Sequence, residues 1–566
     1  MDVEWILREN KKKEKGIVMS LKRRFISEIP EETAHVAKQI HGKGNIYMQI
    51  RDELTEMFND EMFSDLYSSQ GRSAVSPSKL VLVLIMQYMA DYSDRQAIEA
   101  VRDKISWKYV LGMKLTDKGF DHSVLSDFRK RLIEHNALEQ IFNRVLNCLS
   151  DKGLLTGKTK QRTDATHVLA SIRNLNRIEL VGDTMRVTLN RIAQVDPSWL
   201  ESIMPMAWID RYGQRFNDWH LPRKAADRQA LVAQIGIDGY ELLANIYHQP
   251  GALPAQELPE VEVMRRIWVQ QFWCDETETI HLPEVKDTPR GKELIESPFD
   301  SEARFSMKSH GKTWIGYKTH FTETCDDNAP RIITHVQTCS STEHDSQATA
   351  VIQTALCDKG MKPQEHYLDG GYASVRDLIR SQQQQIICLS PLHVDSSWQA
   401  KQEHAFDLSY FTIDWQHQQV TCPQAVTSTT WSPSHNQAGD PVIHSRFAQK
   451  QCQACPVREQ CTRAKARSLK LRPEQWHRAL IDARQYQLAD EFRDKYRIRA
   501  GIEGTFSAAN RVSDLRHTPF IGLQKTHLHC LFSAIALNLK RAINWLNDVP
   551  IATTRKSCLT QFATTT

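Results

Sequence analysis

The chain has 566 residues and a mass of 65.1 kDa, which suggests three to five structural units at about 100–200 residues each. Apolar residues make up 41% and charged residues 25%, which excludes a disordered chain, a collagen and a simple coiled coil. A formal charge of +4 permits a nucleic-acid partner without demanding one. The longest apolar run, Leu80–Met86, is far short of the roughly 18–20 residues of a membrane span, so no membrane partner is expected. The first residues lack the apolar stretch of a secretory signal, so the 12 cysteines read as free thiols of a reducing cytosol, some of them binding metal.

Taken in order, residues 1–24 form a basic arm, with eight Lys or Arg against two Glu between Arg8 and Arg24. Residues 25–155 read as a helical domain. Ser78–Met89 is apolar on nearly every side and predicts a buried helix. Ser93–Gln96 fits a capping box, with Ile98, Val101 and Ile105 following at helical spacing. Asp121–Ser123 can cap a third helix with Leu125, Phe128 and Leu132 on one face and Arg129 and Arg131 on another. A short turn before a basic helix resembles a helix-turn-helix reader, which makes Arg129 and Arg131 candidate DNA contacts.

The texture then changes to strand at Thr163–Ala170, returns to helix over about 175–300, with Trp208, Trp219 and Trp268 as core, and becomes strand again at Thr313–Phe321 and Arg331–Gln337. A helix from Ser346 leads to His366-Tyr-Leu-Asp-Gly-Gly-Tyr372, completing an α/β core. Short strands with cysteines occupy about 395–470. Strong helices follow at Asp482–Asn510 and Lys525–Leu546, and 547–566 has no periodicity.

Three acidic residues stand out. Asp164 lies inside a strand, where an unpaired carboxylate is costly and calls for a cation or a hydrogen-bond network. Asp369 follows a short strand and precedes Gly370-Gly371, which permit a sharp turn and close approach of a ligand. Glu503 shares one helical face with Tyr496 and Arg499, and Arg511 returns close to that face. Gly501 and Gly504 flank it at about 1 kcal/mol each in helix propensity, which points to close packing. Each feature alone has a plain explanation, a turn-capping Asp or a solvated charge face. Together, two Asp and a late Glu suit two Mg²⁺ (or Mn²⁺) ions. Such a pair, about 3.5–4 Å apart, stabilises both oxygens of an in-line phosphodiester displacement.

The stretches Thr163-Asp-Ala-Thr166, Gly316–His320, His366–Tyr372, Tyr496–Thr505 and Asn538–Arg541 resemble the DDE transposases of bacterial insertion sequences. The likeness is to the large group with a helical N-terminal domain and a cysteine-bearing insertion, over about Arg24 to Leu546. The resemblance implies an RNase H-like catalytic domain over 156–546, with Asp164, Asp369 and Glu503 as catalytic, metal-binding residues. Tyr496-x2-Arg499-x3-Glu503 matches the signature around the glutamate, so Arg499 is expected to hold a phosphate and Tyr496 to pack or stack beside DNA. The family's later basic residue is replaced by Asn510, and Arg511 is its expected substitute.

Implied partners are double-stranded DNA, as terminal inverted repeats and target, and further copies of the chain, a dimer or higher on DNA. The implied location is the cytoplasm, at the nucleoid. The reaction implied is DNA cleavage and strand transfer; a metal-dependent nuclease on the same fold, or a non-catalytic zinc-stabilised DNA-binding protein, are the rival readings. Spacings of 369 − 164 = 205 and 503 − 369 = 134 residues require two insertions in a compact core. The second, about 395–470, contains Cys422 and Cys452-x2-Cys455-x5-Cys461, which predict a structural Cys₄ Zn²⁺ site separate from the carboxylates. His320, His335 and His344 read as satisfied strand histidines rather than ligands.

Overall fold

A helix that is apolar all round has to be surrounded, and Pro77–Ala90 (α1) is: every residue from Leu80 to Tyr88 is buried. The computed structural model describes residues 28–42, 44–54, 57–68, 74–155, 159–217, 221–248, 253–277, 279–283, 292–308 and 311–551. The basic arm, Trp219 and residues 552–566 lie outside the described residues. Among the described residues, no helix is long and apolar enough to cross a membrane.

Ser76 caps α1 by accepting the Lys79 N–H, and Asp91 ends it in the left-handed region. Asp94–Asp103 (α2) begins with the expected Ser93–Gln96 capping box. It stops earlier than the spacing of Ile105 predicts, because Lys104 is extended and a separate short helix starts at Ile105. Ser123–Glu134 (α3) buries Leu125, Phe128 and Leu132, and Leu138–Asp151 (α4) follows.

The basic face expected on α3 is corrected by the structure. Arg129 is only 8% exposed, donates to both oxygens of Asp94, and lies over the Phe520 ring. Its position, four residues after Leu125 and three before Leu132, puts it on the core stripe, where a charge is tolerated because it is paired. The Arg131 guanidinium covers Tyr67. Neither is displayed as a free phosphate contact.

The central sheet is built on Lys160–Leu169 (β1). Its other strands are Arg304–Met307 (β2), Thr313–Thr324 (β3), Ile333–Ser340 (β4), Glu365–Leu368 (β5) and Ile387–Leu389 (β6). β3 runs antiparallel to β1, with Asp164 opposite Phe321, and carries β2 and β4 along its other side. β5 lies parallel to β1, with Thr163 opposite Leu368, and β6 lies parallel to β5. The order is therefore β4/β2–β3–β1–β5–β6. Asp164 sits in mid-strand rather than at a strand end, and the register sets it beside Asp369, which follows Leu368 directly.

Between β1 and β2 stand the helices Arg177–Val195 (α5), Ala225–His248 (α6) and Pro259–Gln271 (α7), packed around a core of their own that includes Trp208 and Trp268. Gly239 allows the Trp268 ring to lie where a Cβ would come within 2.1 Å of it. Ala348–Asp358 (α8) connects β4 to β5. The cysteine-bearing segment forms a small three-stranded sheet over its own apolar cluster.

One continuous helix was expected from Asp482 to Asn510, but Ala489 is extended and the chain is divided into Glu474–Tyr486, Asp490–Tyr496, a tight 3₁₀ turn Arg497–Gly501 and Ile502–Ser513 (α9). Leu523–Leu546 (α10) closes the fold against α1, α4 and β4. A single apolar core runs from the N-terminal helices through α10 to the face of the sheet, so those helices are fused to the core rather than set apart from it.

Candidate active site at the sheet edge

Tyr496 donates its O–H to the Leu368 carbonyl and stacks on Phe492, which ties the end of β5 to the turn that follows. The half-buried Tyr496 thus positions backbone. The tight turn then projects Arg499 between the two aspartates. Its Nη2 lies 2.8 Å from Asp164 Oδ2 and 3.3 Å from Asp369 Oδ1. Asp164 Oδ1 also accepts the Ala165 N–H at 2.8 Å.

Burial raises Asp164 to about 6; Arg499 opposes this, while Glu503 and Asp369 add to it. Burial works against the charge of Arg499, yet Asp164 and Asp369 raise it overall. Glu503 is exposed at the start of α9, and its charge reaches both Asp164 and Arg499. Asp164 and Asp369 are therefore brought to one guanidinium, whereas Glu503 reaches them only through its charge.

Behind this cluster lies an assembly that the sequence reading missed. Glu323, fully buried on β3, accepts from Arg162 Nε at 2.8 Å, Thr505 Oγ1 at 2.6 Å and Arg541 Nη1 at 2.9 Å. Arg541 and Arg162 hold its carboxyl below the usual range despite complete burial. Arg162 also donates to the Ile498 carbonyl, and a Cβ on Gly501 would come within 2.1 Å of its guanidinium. Gly501 thus serves close packing as its composition suggested, whereas Gly504 faces open space beside Glu503. Asn538 explains its own stretch by clamping both the N–H and the carbonyl of Ile333. The signal for this assembly was present in the sequence as acids and arginines inside apolar strands and helices, but long-range pairing has no spacing by which to be found.

Arg511 is exposed and only back-bonds to Ser507. Asn510 instead accepts the backbone N–H of Arg516, whose Nε reaches Thr166 Oγ1 at 3.2 Å, two residues from Asp164. The histidines are structural: His320 shares a hydrogen bond with Tyr372 and burial lowers it to about 4, while His344 caps the Asp345–Gln347 turn. His335 is buried with neither ring nitrogen hydrogen-bonded.

Cys422, Cys452, Cys455 and Cys461 line one cavity of about 320 Å³, together with Arg458 and Arg467. All four are free thiols. Among the described residues, no group of three His, Cys, Asp or Glu is arranged closely enough to hold a metal ion, at this cavity or at the sheet edge. At the sheet edge the donors are carboxylate oxygens, which suit a hard dication, and the Arg499 guanidinium lies between the two aspartates.

Two aspartates on neighbouring inner strands, bridged by one guanidinium, are carboxylates of the kind that phosphodiester chemistry uses. Two family models match the chain, one described as a transposase DDE domain over residues 421–543 and one as a transposase domain over residues 35–131. Over these two stretches the chain is similar to DDE-type transposases of the insertion-sequence kind. The first match contains Tyr496, Arg499, Glu503 and the four cysteines; the second covers α1 and α2 and reaches into α3. No curated protein and no solved structure matches the chain.

Proposed function

We propose that the chain binds the terminal inverted repeats of a mobile element, cleaves DNA at its ends and joins the freed 3′-OH to target DNA. The observation that carries this reading is the single guanidinium spanning Asp164 and Asp369, with Glu503 in electrostatic reach. The sheet order, with the first acid on the central strand and the second on its parallel neighbour, supports an RNase H-like core.

Asp164 and Asp369 would hold Mg²⁺ or Mn²⁺, with Glu503 completing a second position. When bound, the two ions supply charge for the attacking and leaving oxygens of the phosphodiester. With cations on the aspartates, Arg499 would be free to hold a phosphate oxygen, which a guanidinium recognises in bidentate fashion. Tyr496 keeps the Asp369 turn in register, and the Arg162–Glu323–Arg541 assembly fixes the turn that carries Arg499. The protein acts on DNA in the cytoplasm, as a dimer or higher assembly that brings two ends together.

A structural Zn²⁺ on Cys422, Cys452, Cys455 and Cys461 is part of the same proposal. It is supported by the shared cavity and by the chain turns at Cys452–Cys455 and Cys422–Ala425. The Cys461 thiol is raised by burial, against the Arg467 guanidinium and with the other three cysteines adding to the rise.

The experiment is an assay of purified protein on a plasmid carrying the flanking repeats, with Mg²⁺ or Mn²⁺. Cleaved ends and joined products are expected. Cleavage without joining identifies the nuclease, and binding with neither identifies a non-catalytic DNA-binding protein.

A further inference from the structure

We infer that Arg516 and His517, together with Lys308 and Lys312 at the mouth of the β2–β3 hairpin, form a seat for the backbone of duplex DNA that runs from the carboxylates past the far end of β1. The inference rests on the proposed function and places the substrate on the molecule.

The segment after α9 is built into the sheet. Leu169 N donates to the Arg516 carbonyl at 2.8 Å and Thr518 N to the Leu169 carbonyl at 3.1 Å, which sets His517 parallel to the end of β1. Asn510 fixes the Arg516 backbone, and the Arg516 guanidinium reaches Thr166. Two residues of strand separate Thr166 from Asp164, about 7 Å. At 3.4 Å per nucleotide along one strand, this is about two nucleotides from the cleavage centre.

The hairpin approaches from the other side. Gly316 has φ 153 and allows β3 to press on β1 where a Cβ would come within 2.2 Å of the Val168 carbonyl. Lys308 N donates to the Lys312 carbonyl at 2.9 Å, which leaves both side chains exposed at the hairpin mouth.

Cations outnumber acids at this end of the sheet. Among the described residues none of Arg516, Lys308 and Lys312 is in an ion pair; the one acid at hand, Asp514, lies 2.9 Å from His517. His167, between them, is lowered to about 4 by burial and then by the neighbouring Arg516, Lys308, His517 and Lys312. Beside Lys308 on the edge strand, Phe305 and Met307 are 47% and 66% exposed. An open strip of cations with exposed apolar side chains suits a duplex, whose phosphates take the charge and whose groove takes the apolar groups. It does not enclose a small anion.

The test is fluorescence anisotropy of the full chain with a labelled mixed-sequence duplex, in EDTA, over a series of NaCl concentrations. The slope of log K against log [salt] should fall by about one in Arg516→Ala and by about two in Lys308→Ala/Lys312→Ala, with severalfold weaker binding at each salt. Arg516→Lys should restore the slope, and Lys401→Ala, an exposed residue of the cysteine-bearing segment, should leave it unchanged. Wild-type slopes in both Ala variants overturn the assignment, as does full displacement of the duplex by inorganic phosphate at constant ionic strength. Absence of salt-dependent binding by the wild type overturns the transposase reading itself. Both lysines are exposed, so their double variant answers the question even where Arg516→Ala fails to fold.

Discussion

Two arginine–carboxylate assemblies meet at the Arg497–Gly501 turn and differ in one respect, access to water. Arg162 and Arg541 enclose a fully buried Glu323 whose every contact is with protein. Arg499 spans Asp164 and Asp369, of which Asp369 is half exposed. A sealed pair is strongly destabilising to break, because the remaining charge has no other partner. An open pair costs little to exchange, since water or another cation can replace it. The same chemistry therefore yields a fixed anchor on one side of the turn and an exchangeable site on the other, and the acids of the exchangeable site are the ones proposed to take metal.

The largest expected effect breaks the open site. Asp369→Asn should abolish cleavage and joining while leaving duplex binding intact, because a neutral amide is a poor ligand for a hard dication. Full strand transfer by this variant, or by the wild type in EDTA, would sink the metal mechanism. Next comes the sealed site. Glu323→Ala leaves the buried Arg162 guanidinium uncompensated and takes from the partly exposed Arg541 its carboxylate, and should cost about 3–5 kcal/mol in urea unfolding. An unchanged urea midpoint would erase the distinction between the two assemblies.

The open site was legible in the sequence because its parts are local anomalies: an acid inside a strand at Asp164, an acid before two glycines at Asp369, and Arg499 and Glu503 in a matched signature. What the sequence could not show is that Arg499 spans the aspartates, since the turn bringing it there was read as helix. The sealed site was illegible because Arg162, Glu323 and Arg541 come from three distant segments. Arg129 was misread for a related reason: its charge suggested exposure, while its position in the Leu125–Leu132 stripe placed it inside. The helices and strands themselves followed from apolar period and capping, as at Ser93 and α1. The fusion of the N-terminal helices with the catalytic core did not, because periodicity says which face is buried but not against what.

Two further tests sharpen the contrast. Cys452→Ser/Cys455→Ser should release zinc and loosen the segment around residues 421–463, leaving Mn²⁺ binding at the sheet edge intact, since thiolates and carboxylates take different metals. Metal analysis of the purified wild type decides it: no zinc, no Cys₄ site. Arg499→Gln should barely change stability yet tighten Mn²⁺ binding without DNA by about tenfold, equivalent to about 1.4 kcal/mol. Removing the resident cation leaves the aspartates to the metal alone. Titration calorimetry with Mn²⁺ is the measurement, and unchanged or weaker binding would show that Arg499 and the metal do not compete.

The smallest effect lies between the two extremes of burial. Glu139 on α4 is 42% exposed and pairs with Lys359 at 3.0 Å and His527 at 3.5 Å, joining the N-terminal helices to the core. Burial alone raises its carboxyl, but the hydrogen bond and charges of His527 and Lys359 bring it down to about 2. A carboxyl lower in the folded state than in the unfolded chain, where it titrates near about 4.3, adds stability above that pH. This increment disappears as pH falls through about 2. Glu139→Gln should therefore be less stable than the wild type at pH 6, and the gap should close as pH is lowered from about 4.3 towards 2. The comparison is of urea midpoints for the two proteins at each pH. A gap that stays constant would mean that Glu139 behaves like the sealed Glu323 assembly, held by geometry rather than by a charge that protons can remove.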